Sequence, residues 1–203
     1  MTEGSPNLTK PPEIRSMKIL VGCAFSGVVR DAFRRRGHYA VSCDLLPCET
    51  PGEHIQGDVL PELAKGWDML IAFPPCTYLT NAGARYLWER PDRWEKMRRF
   101  GEFFRHLLDA PIDKIAIENP IPHKYALEVI GRKYDEIVQP WWFGDGETKA
   151  TCLWLKNLPP LLATLVSPGR VPRLSMLGES KTRSKERSRT YTAMAEAMAE
   201  QWG

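Results

Sequence analysis

The feature that most constrains this chain is a series of short apolar segments that end on small or polar residues and alternate with stretches of helical spacing. Residues 17–23 (MKILVGC) form the first, which reads as a buried strand. Ser26-Gly27 follow, residues 28–36 have helical spacing, and Gly37 is placed to stop that helix in the left-handed conformation. Residues 39–43 predict a second strand with Asp44 at its end, 54–58 a short third strand with its turn, and 67–73 a fourth. Pro74-Pro75 end the fourth, because proline donates no ladder hydrogen bond. Residues 93–108 predict a long amphipathic helix with Trp94, Met97, Phe100, Phe104, Leu107 and Leu108 close to one face. Residues 114–117 predict a fifth strand running into Glu118-Asn119-Pro120, with further strands at 135–138 and 150–155 and a closing helix at 190–202. Such alternation predicts an α/β fold, a mostly parallel sheet with helices on both faces. Ligands in these sheets lie beyond the carboxyl ends of the strands, where strand order reverses. Ser26, Asp44, Asp58, Cys76, Glu118 and Asn119 all fall at such ends.

At 203 residues and 43% apolar, the chain has the material for one domain with a sizeable core. Residues 1–16 read as a flexible tail without the apolar stretch of a secretory signal, and 17–203 as a single domain. No apolar run reaches the roughly 18 residues of a membrane span. The cysteines are Cys23, Cys43, Cys48, Cys76 and Cys152; the number is odd and no Cys-x-x-Cys pair occurs. They are expected to be reduced thiols in a cytoplasmic protein. No metal is expected: Cys43 and Cys48 lack a matching second pair, and His38, His54, His106 and His123 lack ligand spacing.

Two halves of a site can be read. The turn 22–27 (GCAFSG) is small enough for backbone to approach a ligand, but it is not Gly-x-Gly-x-x-Gly and offers no phosphate cradle. Asp44 is placed to accept from both hydroxyls of a ribose, and Asp58 to accept from an adenine amino group. Either aspartate alone reads equally well as a turn former. In the second half, Phe73-Pro74-Pro75-Cys76 sets a thiol in a stiff loop directly after a buried strand. Glu118 ends the neighbouring strand and can face the same pocket. A thiolate that adds to carbon 6 of a cytosine makes carbon 5 nucleophilic, and a protonated carboxyl can meet the charge that develops at ring nitrogen 3. Asn119 is placed to hold that carboxyl or to close the loop. The plainer readings are a small buried thiol for Cys76 and a surface strand end for Glu118.

Taken in order, Phe25-Ser26-Gly27, Asp44, Gly57-Asp58-Val59, Pro74-Pro75-Cys76 and Glu118-Asn119-Pro120 resemble the motifs of DNA cytosine-5 methyltransferases, in particular the short versions common in phages and prophages. The resemblance spans roughly residues 17–155, with a family-like ending at Arg187-Ser188-Arg189-Thr190-Tyr191. It implies the Rossmann-like fold of S-adenosylmethionine-dependent methyltransferases and transfer of a methyl group from that cofactor to carbon 5 of cytosine in DNA. Phe25, Ser26, Gly27, Asp44, Asp58 and Pro75 would then line S-adenosylmethionine. Cys76 would be the nucleophile, with Glu118 and Asn119 on the flipped base. Thr77, Lys149, Arg187 and Arg189 are the candidate substrate-binding residues. The implied setting is a bacterial or phage-infected cytoplasm, and DNA modification is the implied role. The sequence also departs from the family pattern. Thr77 stands where glutamine is usual and Pro120 where valine is usual; the first motif lacks its run of glycines. The Gln-x-Arg-x-Arg strand is absent, and 147–151 (ETKAT), with Lys149, is its counterpart by position. Two other readings stay open. One is one-carbon transfer to a pyrimidine in single-stranded nucleic acid or a free nucleotide; the other is a non-catalytic DNA- or cofactor-binding homologue.

The expected partner is duplex DNA, with no membrane, and a separate subunit could supply specificity. Residues 156–189 form a short basic insert in the place of the family's target-recognition domain. Between Arg170 and Arg189 there are seven basic and two acidic residues, a surplus of +5 against +3 for the whole chain. That suits phosphate contact, which gives affinity without sequence. Arg85, Arg90, Arg93, Lys96, Arg98 and Arg99 read either as the flank of a DNA groove or as the solvent face of the long helix. Trp141-Trp142-Phe143 read either as a stacking surface for an extruded base or, more simply, as core.

Overall fold

The computed structural model describes residues 15–171 and 190–203. The strands are β1 Lys18–Gly22, β2 Tyr39–Asp44, β3 His54–Gln56, β4 Met69–Ala72, β5 Lys114–Pro120, β6 Glu136–Val138 and β7 Thr151–Lys156. The helices are α1 Val28–Arg35, α2 Tyr86–Glu89, α3 Asp92–Leu108, α4 Lys124–Ile130 and, at the end of the chain, α5 Thr192–Trp202. The sheet runs β3-β2-β1-β4-β5-β7-β6. Its neighbours are parallel from β3 to β5, and β7 is antiparallel to both β5 and β6. The order turns back between β1 and β4, so the switch point lies where the turn after Gly22 meets the loop after Ala72.

The central strands are apolar throughout because both faces are covered. Side chains alternate, so Ile19, Val21, Met69 and Ile71 pack with Val29 and Phe33 of α1 and Met194, Met198 and Trp202 of α5. Leu20, Leu70, Ala72, Ile115 and Ile117 pack on the other face with Met97, Phe104 and Leu107 of α3 and Ala126 and Ile130 of α4. Where α3 meets α4 the approach is close: a Cβ on Gly101 would lie 2.6 Å from Val129 Cγ1.

The third strand is as short as read and ends in its turn, where Asp58 Oδ1 accepts the Leu60 N–H at 3.0 Å. Two differences from the sequence reading matter for the site. The fifth strand is longer and carries Glu118, Asn119 and Pro120 in register with Leu153, Cys152 and Thr151. Helices α2 and α4, with no counterpart in the sequence reading, line the path between β4 and β6. No helix separates β2 from β3. The loop 45–53 does so, and it is fastened to α1 by Arg30, whose side chain is fully buried. Its guanidinium donates to Thr50 Oγ1 at 2.9 Å, the Pro51 carbonyl at 2.8 Å and Ser42 Oγ at 3.2 Å, and pairs with Asp31 at 2.8 Å.

Candidate active site

A cleft opens at the carboxyl ends of β4 and β5. Its walls are Phe73, Pro74, Pro75 and Cys76 on one side, Glu118, Pro120, Lys149 and Thr151 on another, and Pro140, Thr190, Tyr191 and Met194 at the rim. Adjacent strand ends thus bring the thiol and the carboxylate to one cavity, as the sequence predicts for Cys76 and Glu118. Lys149 reaches the same cleft, its Nζ 5.7 Å from the centre of the Tyr191 ring. The Thr151 hydroxyl donates to Glu118 Oε1. Thr151 is a functional candidate that sequence reading missed. In the register of β5 on β7 it faces Pro120, and the alternation of the pleat returns it to the side of Glu118.

Asn119 points away from the cleft. It is 1% exposed, and its amide donates to the Pro74 carbonyl at 2.9 Å. Of its two expected tasks this is the closing of the loop, not the holding of the carboxyl. The rest of the loop is held as firmly. Arg93 Nη2 donates to the Thr77 carbonyl at 3.1 Å, and His123 Nε2 lies 3.0 Å from the Tyr78 carbonyl. The Cys76 carbonyl accepts from the Leu79 and Thr80 amides at 3.0 and 3.2 Å. His123 is 3% exposed, and its Nδ1 accepts the Ala126 N–H at 3.0 Å, capping α4. With Nδ1 an acceptor, Nε2 carries the proton and the imidazole is neutral. Burial is the largest influence on this group and holds it below its ordinary pKa, against the Tyr78 carbonyl and with help from Arg93. Thr77 is exposed and outside the cleft, with only its carbonyl engaged by Arg93.

The other half lies at the ends of β1, β2 and β3. Cys23 and Gly27 both adopt left-handed backbone, at φ 55° and 72°. A non-glycine residue in that region is uncommon and marks a constrained turn. Burial raises the Cys23 thiol pKa most, followed by Asp44, Cys43 and Asp58, so both carboxylates lie near this turn. Asp44 Oδ1 accepts the Leu46 N–H at 2.9 Å and Asp58 Oδ1 the Leu60 N–H at 3.0 Å; Asp44 is half-buried and Asp58 exposed. The turn-forming reading of both aspartates therefore holds, and it is compatible with a ligand on the second oxygen. Leu45 and Leu46 stand 73% and 48% exposed beside Asp44, an apolar shelf next to an acidic strand end. Phe25 and Ser26 are buried, so they can offer a ligand only backbone, whereas Pro75 is exposed at the cleft. Gly27 cannot be replaced without cost, since a Cβ there would meet Thr50 Oγ1 at 2.1 Å. A constrained small-residue turn, two carboxylates and an apolar shelf fit the methionine, ribose and adenine parts of S-adenosylmethionine.

The cysteines divide by environment, and none is in a disulfide. Burial first, then neighbouring carboxylates, push Cys43 up to about 11 and Cys152 up to about 12. Burial opposes ionisation of Cys48 as well, but the Thr50 and Arg30 donors outweigh it and hold that thiol below its usual range. Among the described residues no group of His, Cys, Asp and Glu could hold a metal ion. No helix among them is long and apolar enough to cross a membrane.

Trp142 and Phe143 pack into the core, and the Trp141 ring is covered by Arg170 at 3.8 Å from its centre. This triplet is therefore not an open stacking surface. Arg187 and Arg189 and most of the basic insert lie outside the described residues.

No protein-family model and no curated protein matches the sequence. Among solved structures, an E. coli prophage-encoded protein described as a DNA modification methyltransferase is similar with TM-score 0.50 and 15% identity, over 82% of this chain and 56% of its own. The bifunctional kinase–methyltransferase WbdD gives 0.42 at 12% identity, over 73% of this chain and 36% of its own. An E. coli rRNA methylase gives 0.38 at 16% identity, over 69% and 57%. The chain thus spans little more than half the length of the prophage protein, and at that identity the likeness is one of fold. That likeness and the sheet order assign the chain the α/β fold of S-adenosylmethionine-dependent methyltransferases.

Proposed function

We propose that the chain methylates carbon 5 of cytosine in DNA, with Cys76 as nucleophile and Glu118 as the acid at ring nitrogen 3. The observation that carries this is the single cleft that Cys76 and Glu118 share at the ends of adjacent strands. The Cys76 sulfur forms a bond to carbon 6, and the electron pair of the 5,6 double bond is delivered toward carbon 5. S-adenosylmethionine, when bound along the Cys23–Gly27 turn, Asp44 and Asp58, supplies an electrophilic methyl group. The carbon 5 proton then passes to solvent water as base, and its electron pair re-forms the 5,6 double bond. The bond to carbon 6 breaks with its pair on the Cys76 sulfur to return the thiolate, and Glu118 recovers the proton lent to ring nitrogen 3. Glu118 Oε1 is engaged by Thr151, so Oε2 is the oxygen that can carry a proton to the base. Lys149, which lines the same cleft, would meet the carbonyl oxygen at carbon 2. Asn119, Arg93 and His123 touch no reacting atom; they are positioning residues that fix the loop carrying the thiol.

The test is a DNA substrate carrying 5-fluorocytosine, incubated with S-adenosylmethionine. A covalent protein–DNA adduct is expected with the natural chain and none with Cys76→Ser. Transfer of labelled methyl by Cys76→Ser at the natural rate would remove the thiol from the mechanism. Nucleoside mass spectrometry of DNA from expressing cells should show 5-methylcytosine, and its absence there and in purified reactions would refute the proposal.

A further inference from the structure

The region between β4 and α3 has no task in the chemistry above, yet it is built in an unusual way. Helix α2 is anchored by one buried residue, Leu87, while Trp88 stands 69% exposed on its outer side. Trp88 is nevertheless held in place. Its ring meets Trp94 at 5.2 Å and 75° and Tyr125 at 6.1 Å and 79°, both edge-on contacts. Next to it the Tyr86 ring carries guanidinium groups at 4.5 Å (Arg85), 5.6 Å (Arg93) and 5.7 Å (Arg90). Lys124 lies over the Tyr125 ring at 4.8 Å. Asp92 pairs with Lys96 at 2.7 Å, and Glu89 acts on Arg85 from the same surface. Arg93 also ties the patch to the loop that carries Cys76, donating to the Thr77 carbonyl.

We infer that this surface docks an unpaired stretch of DNA leading into the cleft. A positioned aromatic face beside exposed cations is the arrangement that holds single strands, with bases stacked on rings and phosphates met by arginine. The face of Trp88 can be covered by the face of a base only if that base is out of a duplex stack. Paired bases present edges instead. The identity of the occupant rests on the proposed function; the surface itself does not. The consequence is a substrate preference for single strands, contrary to the duplex expected from the sequence.

The experiment is fluorescence anisotropy of the full chain with a labelled single-stranded deoxyoligonucleotide, its duplex, and RNA of the same sequence. Single-stranded DNA is expected to bind tightest. Trp88→Ala should weaken it roughly 5- to 150-fold, with Trp88→Phe restoring most of the loss. Because Trp88 is largely exposed, its folded state is checked simply by an unchanged melting curve. Arg85→Ser with Arg90→Ser should flatten the salt dependence by about 0.7 in log–log slope per lost phosphate contact. Tighter binding of duplex or RNA, or natural affinity in Trp88→Ala, overturns the inference. Cys76→Ser should bind as the natural chain does. Binding with this pattern but no methyl transfer to any substrate would therefore sink the proposed chemistry and leave the surface standing. Methylation of duplex by Trp88→Ala at the natural rate would do the reverse.

Discussion

His123 offers a way to test whether the Cys76 loop is held from outside the cleft. Two bonds are at stake: the cap on α4 through Nδ1 and the donation from Nε2 to the Tyr78 carbonyl. Asparagine is among the best capping residues but is too short to reach Tyr78, so His123→Asn keeps the first and loses the second. One buried hydrogen bond is worth about 1 kcal/mol, and a lost cap adds about 1 kcal/mol more. For a chain of this length each kcal/mol moves the melting temperature by about 2–4 °C. His123→Asn should therefore cost about 2–4 °C and His123→Ala about 4–8 °C. The proton adds a sign. The folded-state pKa lies below the unfolded value of about 6.5, so the unfolded chain takes up the proton first. Stability from the neutral imidazole is full above that pH and falls as the pH drops through and below it. The gap between the natural chain and His123→Asn should accordingly narrow on acidification from pH about 8 to about 5.5. His38, depressed in the same direction, is present in both proteins and cancels. The functional readout is the rate of Cys76 alkylation by iodoacetamide, followed by mass spectrometry, which should change in both variants as the loop loosens. An unchanged alkylation rate in both, or a stability gap that does not vary with pH, would show that His123 does not clamp the loop.

Substitutions at three further sites, each with a control, probe other links. Gly27→Ala places a Cβ against Thr50 Oγ1 and Arg30 Nη2 in a left-handed backbone, and should weaken S-adenosylmethionine binding at least tenfold by calorimetry. Gly37→Ala, at φ 87° with nothing nearby, should carry only the backbone cost of about 1–2 kcal/mol and bind cofactor normally; equal effects would refute a role for the Gly27 contact. Thr151→Val removes the donor on Glu118 and should lower the single-turnover rate of methyl transfer about 10- to 100-fold with substrate binding kept. Thr151→Ser should restore it, and an undiminished rate in Thr151→Val would remove Thr151 from the site. Gly101→Ala gains about 1 kcal/mol of helix propensity but collides with Val129 Cγ1 and Cβ at 2.6 and 2.9 Å. Overpacking of about 1–3 kcal/mol should win, giving a lower urea midpoint that Val129→Ala restores in the double variant.

What the sequence made legible is what repeats at short range. The apolar runs of β1 and β4, the helical stripe of α3, and the thiol and carboxylate that close β4 and β5 all show in consecutive residues, and the structure places them as read. What stayed hidden depends on partners far along the chain. Asn119 finds Pro74 and His123 finds Tyr78, each across 45 residues, and Thr151 finds Glu118 across 33. Arg30 is the sharpest case. Its spacing with Val29, Ala32 and Phe33 would put any side chain on the buried side of α1, and a charge there reads as a misfit. The misfit is resolved only by Thr50 and Pro51, 20 and 21 residues on, in a loop that replaces the helix a parallel pair usually needs.

These distant contacts also divide the labour between the two halves. On the side proposed for the cofactor a buried arginine fixes a loop against a glycine that tolerates no Cβ, so the wall is set by packing around a charge that cannot leave. On the side proposed for catalysis the proline loop is fixed by hydrogen bonds from Asn119, Arg93 and His123, each worth about 1 kcal/mol. In the proposed reaction the thiol would form and then break a bond to the same ring carbon, and these contacts from three different elements would hold it while carbon 6 changes from planar to tetrahedral and back. The wall proposed for the cofactor would face no such change of geometry, and there lies Arg30, the one fully buried arginine among the described residues.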